Sequence, residues 1–311
     1  MSLKILLTST SFQDTPGSHH ELLENTGYTI IKLRGPIEEK VMLSVIDQFD
    51  AIICGDDEIT KEVIEKGVKS RLKVISKYGS GLDKIDLDAA KKFNIPITSC
   101  QAVNQTTVAE HVFALLLSYV KNIIPEHEYV QQARWKRLIG NDIGGKTLGV
   151  MGTGNVGKEV VKRALAFGMN ILAFDKFPDY KFSSQYGITY VTSAEEIYEK
   201  SDIITLHMYL DDNSRHLINK KSMSKMKKGI IIVNTARAEL VKQSDVLNQI
   251  ESGKIGGYLT DVLEKEPIEE QHPYLNNPKI VITPHIGSRT HENVVKQGTM
   301  AVENLINQLS L

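Results

Sequence analysis

Val150-Met151-Gly152-Thr153-Gly154-Asn155-Val156-Gly157 is the stretch on which the reading of this 311-residue chain turns. Gly-x-Gly-x-x-Gly alone is weak evidence, because glycine-rich turns recur throughout α/β proteins. Here the run follows a predicted strand at 147–151 and opens a predicted helix at 156–167. An acidic residue, Asp175, ends the next predicted strand, 170–174. Strand, glycine turn, helix and a later acid form the context in which this spacing binds a dinucleotide. Gly152 permits the tight turn, Gly154 lets backbone approach a pyrophosphate, and Gly157 lets helix and strand pack closely. The helix N-terminus adds free N–H groups and the positive end of its dipole.

The totals bound the rest. A chain of 311 residues is long for one core and predicts two domains. An apolar share of 41% and a charged share of 24% are those of an ordinary globular protein. The net charge of −1 leaves no broad basic field for nucleic acid or an acidic membrane. Cys54 and Cys100 fit no disulfide framework and no metal spacing, and read as small buried residues. The N-terminus runs directly into a strand-like segment, and the most apolar stretch, 112–120, is short for a bilayer span. A cytoplasmic location is the expectation.

Working outward from the glycine turn, the chain alternates short strands and helices. Strands are predicted at 4–8, 28–32, 51–54, 73–76 and 96–98, with helices at 20–25, 38–49 and 61–70 between them. A second series has strands at 147–151, 170–174, 188–190, 203–206, 230–234, 257–260 and 280–283, with helices at 194–200, 220–226 and 244–252. The rhythm predicts parallel sheets covered on both faces. A helix at 106–121, apolar on almost every side, is expected to be buried all round between two domains. A last helix is predicted at 292–308. The fold class is therefore α/β, with two doubly wound parallel-sheet domains and a cleft between them. Ligands in such sheets bind at the carboxyl ends of strands. Asp175, His207, Thr235, Ala236, Arg237, Asp261 and His285 all fall at or just after predicted strand ends.

Three of these residues can carry chemistry. Arg237 follows the apolar run 230–233, and a guanidinium grips a carboxylate through two parallel hydrogen bonds. An isolated arginine is more often a surface cation, but not one at a strand end of a nucleotide-binding sheet. His285 follows another apolar strand and can move a proton near neutrality. The chain has nine histidines. His19, His20, His127, His272 and His291 lie in polar contexts and receive no role, while His111 reads as a core histidine. Glu266 alone is an acidic loop residue; beside an imidazole it orients the ring and favours the protonated form. The small residues of Lys77-Tyr78-Gly79-Ser80-Gly81-Leu82-Asp83 let backbone N–H groups cradle an anion.

At this point the chain resembles the D-isomer-specific 2-hydroxyacid dehydrogenases, a family that includes D-3-phosphoglycerate, formate, D-lactate and glyoxylate/hydroxypyruvate enzymes. The resemblance spans essentially the full length. It rests on residues 78–86, Val108-Ala109-Glu110, Gly152 to Gly157, Asn234-Thr235-Ala236-Arg237, Asp261-Val262 with Glu266-Pro267, and Thr283-Pro284-His285-Ile286-Gly287. It implies a flavodoxin-like substrate domain, 1–101 plus 288–311, and a Rossmann NAD-binding domain, 102–287. It implies that Arg237 binds the substrate carboxylate and carbonyl, that His285 is the acid/base, and that Glu266 holds it protonated. Backbone at Ser80 and Gly81 cradles the carboxylate. NAD is the implied cofactor, with Asp175 on the adenosine ribose and Asp261 on the carboxamide. Val108, Asn155, Val156, His207, Thr235, Ala236 and Gly287 line it. The partners implied are a small 2-hydroxy or 2-oxo acid and a second copy of the chain, joined through the NAD-binding domain. Asp175 repels the 2′-phosphate of NADP, so NAD is preferred over NADP.

Within the family the 78–86 motif is closest to D-3-phosphoglycerate dehydrogenases. Against that substrate, the segment after the third strand, Cys54-Gly55-Asp56-Asp57-Glu58, is acidic where an arginine stands in many of them. Chain length leaves no room for their C-terminal regulatory domain. A glyoxylate/hydroxypyruvate-type reductase and a non-catalytic NAD-binding corepressor are the alternatives; Arg237, Glu266 and His285 together argue against the second. Glu266 in place of glutamine disfavours a formate enzyme. Met208-Tyr209 replaces a common proline, and Lys242 stands where an acid or asparagine is usual.

Overall fold

The computed structural model describes residues 2–310. It divides into two compact units. One takes the described residues up to Asn104 together with those from Arg289 onward; the other is Gln105–Ser288.

The first unit holds five parallel strands, β1 (Lys4–Leu7), β2 (Thr29–Lys32), β3 (Ala51–Cys54), β4 (Val74–Lys77) and β5 (Ile97–Ser99), in the order β2-β1-β3-β4-β5. That is the flavodoxin-like order. Side chains alternate between the two faces along a strand, so both faces of these apolar runs must be covered. Leu6, Ile52 and Ile75 pack with Met42, Ile46, Val63 and Ile64 on one side. Ile5, Leu7, Ile53 and Val74 pack with Val294, Ala301, Val302 and Leu305 on the other. The latter four belong to the last helix, His291–Leu309. Each fully buried Leu or Ile contributes roughly 1.5–3 kcal/mol, which is what draws the chain's end back to its first sheet. Thr290 caps that helix by accepting from the Asn293 N–H.

The second unit holds seven parallel strands, β6 (Thr147–Met151), β7 (Asn170–Phe174), β8 (Thr189–Tyr190), β9 (Ile203–Leu206), β10 (Ile230–Asn234), β11 (Ile255–Thr260) and β12 (Ile280–Ile282). Their order is β12-β11-β10-β9-β6-β7-β8. Counted from the unit's own first strand, this is the Rossmann order 3-2-1-4-5-6 with one strand added at the far edge. Leu148, Val150, Ile171 and Val233 pack with residues of helices Gln105–Val120 and Asn155–Ala166. Ile204, Leu206, Ile232 and Tyr258 pack with residues of helices Ala194–Lys200, Lys220–Lys225 and Gln243–Glu251.

Helix Gln105–Val120 is not buried on every side. Thr106, Glu110 and Ala114 are exposed, four residues apart and therefore one stripe, while Val108, Val112, Phe113, Leu115 and Leu116 face inward. Only Ala114 of that stripe is apolar, and Thr106 and Glu110 mark the solvent face. Four helices carried no sequence signal: Thr10–Asp14, Leu87–Lys92, Ile123–Gln131 and Tyr180–Tyr186. Three are a few residues long and begin at side-chain caps, Ser9, Asp86 and Asp179, rather than on an apolar periodicity. Ile123–Gln131 buries no residue and so has no inward face to read. β11 starts two residues before position 257, where the register against β10 is irregular. No single helix among the described residues is long and apolar enough to cross a membrane.

Candidate active site

The glycine turn lies between β6 and β9, where the strand order of the second unit reverses. Gly152 has φ +92, and an added Cβ would stand 2.6 Å from the carbonyl carbon of His207. His207 N–H donates to the Met151 carbonyl at 2.7 Å, so the turns after the two strands are pressed together. A Cβ on Gly157 would lie 2.0 Å from the Gly152 oxygen, whereas at Gly154 it would meet nothing within 4 Å. Gly154 precedes helix Asn155–Ala166 without any side-chain cap. The first-turn N–H groups of that helix therefore remain for an anion. Asn155 is exposed and Val156 half-buried beside them.

Asp175 ends β7. Its Oδ2 accepts from the Thr153 N–H (2.6 Å) and the Thr153 hydroxyl (3.0 Å), and its Oδ1 from the Phe177 N–H (2.8 Å). The Tyr190 hydroxyl donates to Thr153 Oγ1 at 2.7 Å. After β10, Asn234 is fully buried and shapes the next turn. Its Oδ1 accepts from the Ala236 N–H (3.1 Å) and its Nδ2 donates to the Arg237 carbonyl (2.8 Å). Thr235 Oγ1 is buried there with no partner among the described residues. Val108 is buried on helix Gln105–Val120. His207 Nε2 meets Thr205 Oγ1 at 2.8 Å, and burial pushes its imidazole down to about 3, so the ring is neutral near pH 7. An open glycine turn, an uncapped helix start, an orphaned hydroxyl and a fixed carboxylate fit a dinucleotide.

The titratable residues sit further along the same sheet edge. His285 Nδ1 lies 2.8 Å from Glu266 Oε2, and Glu266 Oε1 accepts from the Leu263 N–H at 3.0 Å. The two side chains are 36% and 34% exposed, so the imidazole is open to solvent. His285 has φ +55, a left-handed conformation that a non-glycine residue keeps only when its surroundings enforce it. Asp261, 2% exposed, provides that enforcement. Its Oδ1 accepts from the Thr283 hydroxyl (2.5 Å) and the Ile286 N–H (2.9 Å), and its Oδ2 from the Gly287 N–H (2.7 Å). His111 Nε2 is 3.3 Å from the same Oδ1 and 2.9 Å from Thr283 Oγ1. Burial pushes the Asp261 carboxyl up, but the contacts from His111, Thr283 and Ile286 outweigh it and hold it below the usual carboxylate range. Arg237 Nη1 donates to the Ala236 carbonyl at 2.7 Å, at the start of the 3₁₀ turn Ala238–Leu240.

Read across six adjacent strands, the carboxyl ends carry His285 (β12), Asp261 with Glu266 (β11), Thr235 to Arg237 (β10), His207 (β9), the glycine turn (β6) and Asp175 (β7). Ser80 and Gly81 lie in the first unit, half-buried in the loop after β4. The Ser80 carbonyl accepts from Gln101 Nε2 at 2.9 Å and the Gly79 carbonyl from the Cys100 N–H at 2.8 Å. At the same end of that sheet the Lys77 ammonium, its side chain 4% exposed, donates to the Gly55 carbonyl (2.5 Å) and to Asp56 Oδ1 (2.6 Å). Asp57 is fully buried and accepts from the Ile37 and Gly55 N–H groups. Both cysteines are free and buried, and burial pushes the Cys54 thiol up to about 12.

Sequence reasoning missed Thr153 and Tyr190 beside Asp175, and it took His111 for an ordinary core residue. His111 and Asp261 are 150 positions apart, so no local pattern pairs them. His19, set among polar neighbours in the sequence, is fully buried with Nε2 on the Phe12 carbonyl at 3.2 Å.

The sequence model of the family described as D-isomer specific 2-hydroxyacid dehydrogenase, NAD binding domain, matches residues 113–287. The chain is 34% identical over 282 residues to a glyoxylate reductase of Korarchaeum cryptofilum, spanning 88% of this chain and 84% of that protein. It is 33% identical over 305 residues to a D-3-phosphoglycerate dehydrogenase of Methanocaldococcus jannaschii, spanning 97% of this chain and 57% of that longer protein. Among solved structures, the TT0316 protein from Thermus thermophilus superposes with a TM-score of 0.89 at 32% identity, covering 99% of this chain and 97% of that one.

Proposed function

Since the chain belongs to the D-isomer-specific 2-hydroxyacid dehydrogenase family, a class of NAD-dependent oxidoreductases, we propose that it interconverts a short, unphosphorylated D-2-hydroxy acid and its 2-oxo acid. The observation that carries this reading is the His285–Glu266 pair at 2.8 Å, set on a turn that Asp261 fixes, along the same sheet edge as the glycine turn. Bound NADH supplies the hydride. Arg237 binds the substrate carboxylate and polarises the 2-oxo group, and backbone at Ser80 and Gly81 holds the carboxylate. Because Glu266 occupies Nδ1, His285 uses Nε2 to give a proton to the developing alkoxide, and in reverse takes the hydroxyl proton there. The Glu266 carboxylate favours the imidazolium form that reduction needs.

Asp175 takes the adenosine ribose, the first turn of helix Asn155–Ala166 the pyrophosphate, and Val108, His207, Thr235, Ala236 and Gly287 line the remainder. Asp261 stands at the carboxamide end and holds the turn that bears His285. The first unit serves as the substrate-binding unit. Its strand ends favour an unphosphorylated substrate, because the acidic segment after β3 neutralises Lys77 through Asp56. A homodimer through the second unit is part of the proposal: Ile123, Ile124, Val130, Trp135 and Ile139 are all exposed there, Trp135 by 81% and Ile139 by 96%.

Initial rates of NADH oxidation with glyoxylate, hydroxypyruvate, pyruvate and 3-phosphohydroxypyruvate test the substrate. Turnover of one of the first three is expected to exceed that of the phosphorylated acid. Preference for the phosphorylated acid overturns the substrate assignment, and inertness towards all four overturns the catalytic one.

A further inference from the structure

Asp175 does not stand alone at the end of β7. A carboxylate donates nothing, so the contact between Thr153 Oγ1 and Asp175 Oδ2 requires the single proton of the Thr153 hydroxyl to run toward Asp175. With that proton fixed, Thr153 Oγ1 can only accept at its other contact, and Tyr190 supplies the donor at 2.7 Å. The result is a directed relay, Tyr190 O–H to Thr153 O–H to Asp175, reinforced by the Thr153 and Phe177 N–H groups on the two carboxylate oxygens. Thr153 is 4% exposed and the Tyr190 ring packs edge-on against Tyr180, so both hydroxyls are anchored. Three different segments, the glycine turn, β8 and the residues after β7, converge on one carboxylate.

We propose that Thr153 and Tyr190 are positioning residues that set the preference for NAD over NADP, by locking the Asp175 carboxylate in one orientation and committing every hydroxyl proton beside it. The proposal rests on the reading of Asp175 as the ribose-binding residue. A ribose hydroxyl can donate to a carboxylate held in this way. A 2′-phosphate meets a fixed negative charge, and neither hydroxyl has a proton left to offer it. Lys176 is the opposing influence: it is exposed, adjacent to Asp175 and over the Phe177 ring, and a cation there attracts a 2′-phosphate. When Tyr190 loses its hydroxyl, Thr153 is free to turn its proton away, Asp175 gains rotational freedom, and Lys176 acts with less opposition.

The experiment compares kcat/KM for NADH and for NADPH in the wild type, Tyr190→Phe, Thr153→Val, Asp175→Ala and the double variant Tyr190→Phe/Asp175→Ala, with thermal melting as a check on folding. Tyr190→Phe is expected to narrow the NADH/NADPH ratio roughly 2- to 10-fold, the scale of one neutral hydrogen bond. The change should fall on KM for the dinucleotide, with KM for the oxo acid unmoved. Thr153→Val should narrow it in the same sense. Asp175→Ala should narrow it at least about tenfold, as loss of a charged acceptor does, and adding Tyr190→Phe to Asp175→Ala should change the ratio no further. A narrowed ratio in Asp175→Ala alongside a wild-type ratio in Tyr190→Phe overturns the relay and leaves the ribose assignment standing. Equal losses with both dinucleotides in Tyr190→Phe, or additivity in the double variant, assign the residue a purely structural part and also overturn it. A wild-type ratio in Asp175→Ala sinks the ribose assignment and the relay together.

Discussion

Replacing Glu266 by glutamine isolates the electrostatic part of the proposed acid/base machinery. Glutamine keeps the length of the side chain and an oxygen that can face His285 Nδ1, but removes the charge. The pair is close, 2.8 Å, yet its members are 36% and 34% exposed, so water screens it strongly. Measured exposed pairs contribute on the order of 1 kcal/mol or less. At about 1.4 kcal/mol per tenfold, losing the carboxylate should weaken the imidazolium form relative to the neutral ring by up to about fivefold. The direction follows from which form the carboxylate stabilises: it favours imidazolium, so its removal makes the proton leave at lower pH. In the proposed mechanism reduction uses the protonated ring, so its rate falls as rising pH removes that proton. Oxidation uses the neutral ring, so its rate rises over the same change.

Both limbs should therefore move to lower pH in Glu266→Gln. Near neutrality, reduction should slow by up to about fivefold, the factor that about 1 kcal/mol corresponds to, while oxidation is hurt far less. The assay is initial rates at saturating substrates in both directions across the range in which imidazole titrates. A uniform loss in both directions with unmoved limbs, or a limb displaced to higher pH, would refute the reasoning. In that case Glu266 would serve only to orient the ring.

Three further outcomes are expected. His285→Ala should lower kcat by at least ~100-fold, the scale of a lost general acid/base, with the Kd for NADH by fluorescence titration nearly unchanged; turnover near the wild-type rate would remove His285 from the chemistry. His207, held down at about 3 from an ordinary 6.5, excludes a proton in the folded state, so the stability tied to its neutral form is fully present above pH 6.5 and is lost as pH falls toward 3. On acidification from pH 6.5 toward 3 the wild type should therefore lose more stability than His207→Asn, which has no imidazole to protonate, read as urea midpoints; parallel losses would contradict this. Trp135→Asp combined with Ile139→Asp should convert a dimer to a monomer in sedimentation; a wild-type chain that already sediments as a monomer ends the dimer proposal.

Much of the fold was legible because parallel strands buried on both faces read as continuous apolar runs, as in Ala51–Cys54 and Ile230–Asn234. What escaped was structure held by single polar contacts. The short helix after Asp179 depends on one carboxylate accepting from the Phe182 N–H at 3.0 Å, and no hydrophobic period announces it. The same holds in the site. Arg237, Glu266 and His285 could be proposed because each follows a strand or stands in a motif. Tyr190 could not, because a tyrosine at the end of a two-residue strand looks like any half-buried aromatic, and its partner Thr153 occupies one of the variable positions of Gly-x-Gly-x-x-Gly. Long-range hydrogen bonds leave no periodic trace in a sequence.

The two ends of the proposed cofactor site use one construction. At each, an aspartate just after a strand end accepts two backbone N–H groups: Thr153 of the glycine turn and Phe177 of its own turn on Asp175, Ile286 and Gly287 of the next turn on Asp261. At each, a further hydroxyl, Tyr190 or Thr283, adds to the hold, directly or through Thr153. The difference lies in what the held turn does. Around Asp175 the carboxylate itself is the proposed recognising group, and fixing it is expected to sharpen discrimination between dinucleotides. Around Asp261 the carboxylate is 2% exposed and the product of the network is the left-handed His285, a conformation costing on the order of 1–3 kcal/mol that the network offsets. Because Asp261 titrates below the usual carboxylate range, its contribution is present above the unfolded value of 3.8 and is lost only as pH falls through its depressed value. The turn bearing His285 therefore stays set from neutral pH down to the acid range in which Asp261 itself takes up a proton.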